Sequence, residues 1–288
     1  MLIVTVIMWA LGFTSARYAV THGFDPLQYS APRFIVGTLI FVVVALVREG
    51  TLRVERRDLP YIVPAALLGV LVNQLTFNYA VKFASASTVA IMFGTLPIFG
   101  AMIAAAIGWE RIRGRHWLAT VVSFVGVALV AIGAEVDLGG GLGGILLALG
   151  ASLSFAAFSV SIAPLMRRYS AVRVSATVTL IGTVPLVLVS LPQLVSADWG
   201  RVELLAWGAL GYQITMFVVT TYLWFIAIDR VGAAHATLWA NLQPFAGAVA
   251  AVLILSEALT PIQVAGAVVL ALAIALARWR RPPSPILE

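Results

Sequence analysis

Two stretches decide the fold of this chain: residues 88–110, TVAIMFGTLPIFGAMIAAAIGWE, and residues 235–257, HATLWANLQPFAGAVAAVLILSE. Pro97, Gly100 and Glu110 of the first recur as Pro244, Gly247 and Glu257 of the second, each 147 positions further on. One constant offset at a Pro, a Gly and a Glu, in runs otherwise made of aliphatic and aromatic residues, marks an internal duplication.

The solvent of this duplicated chain is lipid. Apolar residues make up 61% of the sequence and charged residues 10%, where soluble domains hold roughly 45–50% and about 25%. A bilayer core of about 30 Å takes about 20 helical residues, and polar or Pro/Gly-rich breaks recur at that interval. Ten spans are predicted, at about 2–20, 27–47, 59–81, 86–108, 116–134, 142–164, 173–191, 203–228, 233–255 and 261–279. Runs of this length without period-2 alternation predict helices, not a barrel. The opening MLIVTVIMWALGF lacks a basic n-region and a small-residue cleavage site, so it reads as a first span and not as a signal peptide.

Orientation follows from the basic residues of the short loops. Fourteen of the 18 fall after spans 2, 4, 6 and 8 or in the tail; Arg17, Arg33, Lys82 and Arg201 lie on or towards the other face. Both termini are therefore expected in the cytoplasm. Each copy of the repeat contains five spans, an odd number, so the second enters the membrane from the opposite side. The fold expected is an all-α polytopic membrane protein of ten transmembrane helices in two inverted five-helix repeats, 1–134 and 142–281, with a cytoplasmic tail at 282–288. Inverted repeats imply two conformers open to opposite sides, the geometry of alternating access.

Several function classes drop out. No cysteine is present, which removes thiolate metal sites and cysteine nucleophiles. The three histidines lie in different segments and no Gly-rich phosphate loop carries a Lys, so neither an enzyme, a metal centre nor a cofactor is expected. Arginines scattered over membrane-surface loops do not form a nucleic-acid surface. The partners expected are a small-molecule solute and the lipid bilayer, with the protein a monomer. A near-exclusive use of Arg over Lys, with much Ala and Gly, suggests a GC-rich bacterial genome, hence the inner membrane.

The segment from Phe77 to Gly133 pairs an aromatic-rich helix end and a Ser/Ala turn with a Pro-bearing helix, a closing Glu and a Gly-bearing apolar helix; Phe225 to Arg278 repeats the pattern. This resembles the EamA unit of the drug/metabolite transporter superfamily, occurring twice. WALGFTSARYAV, residues 9–20, resembles a family first span. The resemblance implies a ten-helix exporter of small organic solutes with a central cavity. The amino-acid-exporting, YddG-like members are the nearest suggestion. A facilitative pore, an exporter of other metabolites or drugs, and a membrane scaffold are the alternatives.

Polar and aromatic side chains deep in spans mark the protein interior. Trp9 and Phe13 lie i, i+4 in span 1, as do Asn73 and Phe77 in span 3, beside Gln74 and Asn78. Span 8 offers Tyr212, Gln213 and Thr215, and span 9 His235, Trp239, Asn241 and Gln243. Trp9 and Trp239 read either as cavity lining or as packing; Asn73, Gln74 and Gln243 as substrate contacts or interhelical hydrogen bonds. His235 reads as a helix-start residue, a cavity donor or a proton-coupling site. Pro97 and Pro244 are expected mid-helix, as kinks that serve as hinges or stay static, and Pro64 and Pro185 likewise. Glu110 and Glu257, about 20 Å beyond those prolines along a helix, belong at opposite membrane surfaces in a structural or gate role. Arg17 and Arg33 are expected to snorkel or pair with acids near the outer ends of their spans. Gly100, Ala104 and Gly108 form a small-residue stripe suited to close helix packing, with Gly247 and Ala251 as a partial echo. No acidic residue sits near a span centre, which argues against obligatory proton antiport.

Overall fold

A computed structural model describes residues 1–108, 114–134 and 141–278, apart from the side chains of 115–116, 167, 222, 224–238, 240 and 277–278. The described chain is helical throughout, in the order α1 Leu2–Thr21, α2 Pro26–Glu49, α3 Leu59–Ala66, α4 Asn73–Phe83, α5 Ala86–Met92, α6 Leu96–Ala106, α7 Gly114–Gly133, α8 Gly141–Ile162, α9 Ala171–Val195, α10 Leu204–Ala240, α11 Gln243–Leu255 and α12 Pro261–Arg278. Among the described residues seven helical runs are long and apolar enough to cross a membrane, and three shorter apolar helices accompany them.

Local sequence sets most helix starts. Asp25-Pro26-Leu27-Gln28 opens α2 and Thr260-Pro261-Ile262-Gln263 opens α12, each with Pro first and with the Gln side chain accepting from the backbone three residues back, at 3.0 and 2.9 Å. Ser85 and Ser170 cap α5 and α9 by accepting from Thr88 and Arg173 backbone amides. Between α3 and α4 the chain widens into a π turn, Leu67–Val72, just beyond Pro64 and where the ring of Phe158 lies against Gly69.

Two expectations about the repeat are corrected. Pro97 and Pro244 are not mid-helix: each occupies the second position of its helix, α6 and α11, where a missing N–H costs nothing. The helix break falls just before each, at Phe93–Thr95 and at Asn241–Leu242. No non-helical break appears near residues 229–232: α10 is helical over all 37 residues, Leu204–Ala240. The counterpart of the capping Ser85 is Gly232, which has no side-chain acceptor, and a lone Gly weakens a helix by only about 1 kcal/mol.

Helix pairing is nearly invariant to exchanging the two halves. The pair α1–α10 is matched by α8–α4, α1–α11 is matched by α8–α6, and α2–α9 and α7–α12 each pair a helix with its own counterpart. Among the described residues three pairings lack a counterpart of comparable extent: α5–α11 has none in α6–α10, and the smaller α1–α4 and α2–α4 have none in α8–α10 and α9–α10. Gly126 of α7 faces Gly266 of α12, and a Cβ added to either would lie 2.7–3.0 Å from the other's carbonyl oxygen. Gly100 and Gly108 have open space beside them, so the stripe expected in α6 is not a packing seam; Gly247 does pack closely, on Phe13 and Ala90.

The apolar core is distributed as unevenly as the pairing. One large cluster, including Phe13, Ala16, Phe24, Val81, Ile91, Val130, Ile145, Leu210 and Ala251, fills the half that carries the Arg-poor loops. In the Arg-rich half the described clusters, around Phe34, Ile62, Val178 and Phe41, draw on α2, α3, the π turn, α8, α9, the α2–α3 and α8–α9 loops and Phe217 of α10. Among the described residues α1, α6, α7, α11 and α12 contribute nothing to them.

Candidate functional site

The residues singled out in the helices converge on one layer. Arg33 of α2, Gln74 and Phe77 of α4, Phe13 of α1, Phe93 before α6 and Gln213 of α10 each lie about 9–14 Å along their helices from the Arg-poor end, at 1.5 Å per residue. Phe13, Phe77 and Phe93 pack as a mutual triad with ring centroids 5.3–5.9 Å apart, all tilted or edge-on, the geometry aromatic quadrupoles favour. Beside them Gln74 is the hub of a polar network. Its Oε1 accepts from Arg33 Nη2 and, at 3.1 Å, from Asn78 Nδ2. Its Nε2 donates to Asn73 Oδ1 at 2.9 Å, and Asn73 donates to the Ala151 carbonyl of α8 at 2.9 Å. Gln213 Oε1 accepts from Arg33 Nη1 at 3.2 Å, while its Nε2 donates to Gly12 O at 2.6 Å. A chain of amides and one guanidinium thus ties α1, α2, α4, α8 and α10 together.

Arg33 is the main correction to the sequence reading. It neither snorkels nor meets an acid: it is 6% exposed, with Tyr29 and Phe34 rings 5.6 and 5.1 Å from its central carbon. Seven residues past Pro26 is too deep for a side chain flanked by those rings to reach the surface. Among the described residues Arg17 also has no carboxylate within 4 Å; it donates to the carbonyls of Val81 and Lys82 at the end of α4, at 2.5 and 2.8 Å, where a helix C-terminus favours a cation.

The remaining expected residues are spread around this layer. Trp9 donates to Thr220 Oγ1 at 2.9 Å and Tyr212 to the Met8 carbonyl at 2.7 Å, both fastening α10 to α1. Trp239 ends α10 at 39% exposed, and Gln243, half-buried, begins α11. The His235 side chain and the whole of Glu110 lie outside the described residues. Phe93 and Tyr29 were not singled out from sequence; only their helix positions, one turn from Pro97 and Arg33, could have signalled them. An open, nearly apolar groove of about 390 Å³ lies elsewhere, between α11 and α12, lined by Ile91, Phe245, Val252 and Val268.

The Arg-poor end is sealed above the layer. Glu257 accepts from the backbone amides of Ala86 and Ser87, both at 2.8 Å, and from Ser87 Oγ at 2.7 Å. Lys82 pairs with Asp25 at 3.4 Å. Gln193 accepts from Leu27 N and donates to Tyr79 Oη, both at 2.9 Å, and Glu203 takes Tyr18 Oη at 3.3 Å. At the Arg-rich end the described clamps join α2 and the turn before α3 to the α8–α9 loop and the start of α9: buried Asp58 accepts from Arg168 and from Tyr169 Oη, the latter at 2.6 Å, and Arg173 pairs with Glu49 at 2.7 Å. The hydrogen bond to Asp58 raises the Tyr169 pKa above the ordinary phenol value.

An all-helical, lipid-exposed bundle with a polar layer enclosed at depth defines a multi-pass membrane transporter. The profile of the EamA-like transporter family matches residues 1–132 and again 142–279, and the chain belongs to that family. A relative from Archaeoglobus fulgidus named an uncharacterized transporter is 23% identical, over 92% of each chain. Another from Streptantibioticus cattleyicolor, named a probable terminal-alkyne amino-acid exporter, is 27% identical over 46% of this chain and 43% of its own. A solved crystal structure superposes with a TM-score of 0.66 at 16% identity, covering 96% of this chain and 95% of that one, a likeness of fold alone.

Proposed function

We propose that this protein exports neutral amino acids, aromatic ones in particular, by alternating access of two inverted five-helix repeats, 1–134 and 142–281. In this reading ten spans cross a bacterial inner membrane with both termini and the Arg-rich loops in the cytoplasm, and no cofactor or metal takes part. The observation that carries it is the broken symmetry among the described residues: the large pairings are exchangeable between halves, but α5–α11, α1–α4 and α2–α4, all on the side of the Arg-poor end, have no counterpart, and the large shared core lies there. A carrier caught facing the Arg-rich side has this asymmetry; a scaffold has no use for it. Exchanging which half supplies the closed contact gives the opposite-facing state. The amide and aromatic chemistry of the layer suits a zwitterion with an apolar side chain, and one relative's name points the same way.

The test is counterflow in proteoliposomes loaded with phenylalanine, challenged with amino acids, organic cations and sugar phosphates. Saturable exchange confined to amino acids is expected. Exchange of cations or sugar phosphates alone would overturn the substrate class, and non-saturating flux would favour a pore.

A further inference from the structure

Arg33 brings a full positive charge into the polar layer, and among the described residues no carboxylate lies within 4 Å of it. A guanidinium has five N–H donors; the layer engages two, through the amide oxygens of Gln74 and Gln213. Neutral amide oxygens only partly replace water around a buried cation, so such a group is costly unless an anion completes its shell. Asn78 Oδ1, also buried, has no hydrogen-bond partner among the described residues. Asn78 donates to the same Gln74 oxygen that Arg33 holds, so an unfilled acceptor and a cation with unused donors flank one amide. Tyr29, whose ring lies 5.6 Å from the guanidinium carbon, belongs to the same buried cluster as Phe13, and Phe77 and Phe93 pack against that cluster, so the aromatic triad and the cation share one neighbourhood.

We infer that Arg33 binds the carboxylate of the transported solute, that Asn78 Oδ1 accepts from its ammonium group, and that Phe13, Phe77 and Phe93 cover its side chain. This deepens the amino-acid reading and rests on it. On binding, the guanidinium exchanges the Gln74 and Gln213 oxygens for the two carboxylate oxygens, a bidentate and charge-assisted pair in place of two neutral ones. The released amides then turn their N–H groups towards the solute. A structural role for Arg33 needs only the hub; it gives no reason for the solute's carboxylate to matter.

The experiment compares phenylalanine with phenylalanine methyl ester, phenethylamine and 3-phenylpropionate on the full-length protein, as competitors in counterflow and as ligands in thermal-shift measurements. Phenylalanine should bind best, and the ester and the amine about tenfold or more weakly, the scale of a lost charge-assisted bond. Arg33→Lys should raise KM for phenylalanine by a similar factor and narrow the gap between acid and ester; Asn78→Leu should weaken phenylalanine but leave 3-phenylpropionate unchanged. If phenylalanine is exchanged but ester and acid compete equally, the Arg33 assignment fails while the amino-acid reading stands, and this comparison needs no variant to fold. If no amino acid is exchanged, the amino-acid reading fails, and Arg33 is judged by 3-phenylpropionate alone. Stabilisation of the wild type that is lost in Arg33→Lys then keeps the carboxylate site, and no stabilisation overturns it.

Discussion

Glu257 and Ser87 are joined twice, by the Ser87 backbone amide at 2.8 Å and by its hydroxyl at 2.7 Å, both donating to Glu257 Oε2. The other carboxylate oxygen takes the Ala86 amide at 2.8 Å. The carboxylate beyond the end of α11 thereby satisfies the orphan amides at the start of α5 and ties the two repeats together at the Arg-poor end.

Removing that carboxylate should loosen the seal. In the naturally cysteine-free chain, a cysteine at Ala86, fully buried here, should react slowly with an impermeant thiol reagent added outside. Adding Glu257→Ala should speed the reaction about tenfold or more, since hydrogen bonds to a charged group are worth roughly 1.5–3 kcal/mol. An unchanged rate would show that core packing alone closes this end.

The Arg-rich end offers a stability test away from the solute. Asp58 is buried, and its partners Arg168 and Tyr169 come from the α8–α9 loop. Asp58→Ala should lower stability by about 1–2 kcal/mol, below the range for fully buried pairs because the Arg168 side chain is 35% exposed. A fall in Tm in detergent, with KM for solute unchanged, is the expected result; an unchanged Tm would make the clamp dispensable.

Topology can be read independently. Reporter fusions after Arg57 should report cytoplasm and fusions after Glu203 and Glu257 the exterior, because contacts place the last two at one end with Asp25 and Lys82. A cytoplasmic signal at Glu257 would remove the inverted arrangement and with it the mechanism proposed.

Much of this architecture was legible in sequence because hydrophobic length and the 147-residue offset report directly on spans and duplication. What was not legible depends on contacts between distant segments. Pro97 looks mid-helix in a continuous apolar run, but Phe93–Thr95 breaks the helix where Thr95 Oγ1 meets Ser152 of α8 at 3.0 Å. Arg33 looks like a residue near a span end, and only Gln74 and Gln213, 41 and 180 positions away, hold it inside. Gln74 was visible as polar and deep, but not as a hub. The run of α10 through Gly232 hinged on a missing cap, a small local difference between two otherwise similar copies.

Coupling follows from where the acids lie. Every carboxylate whose contacts are described, Asp25, Glu49, Glu55, Asp58, Asp198, Glu203 and Glu257, engages groups at one end of the bundle or the other. None lies in the polar layer. Exchange of phenylalanine should therefore persist in liposomes without a pH gradient, and His235→Ala should leave any pH dependence nearly unchanged. Strict dependence on an imposed proton gradient would assign proton coupling to a residue outside that set.

Alternating access makes the most demanding prediction, because it requires the sealed end to open during every cycle. With cysteines at Ser87 and Glu257, a short bifunctional thiol reagent should bridge α5 and the end of α11, whose side chains touch in this structure. Fixing that contact should stop net export and exchange together, since the solute could still enter from the Arg-rich side but never leave at the other. Reduction of a cleavable bridge should restore flux, and single cysteines treated alike should keep it. Phenylalanine should still stabilise the bridged protein, because the Phe13–Phe77–Phe93 layer lies deeper in the bundle than the bridge and shares no residue with it. A pore offers no reason for binding and flux to separate in this way. Undiminished flux through the bridged protein would place the pathway elsewhere and end the carrier reading; loss of binding along with flux would mean that the bridge distorts the layer, and that the seal and the site are one structure instead of two.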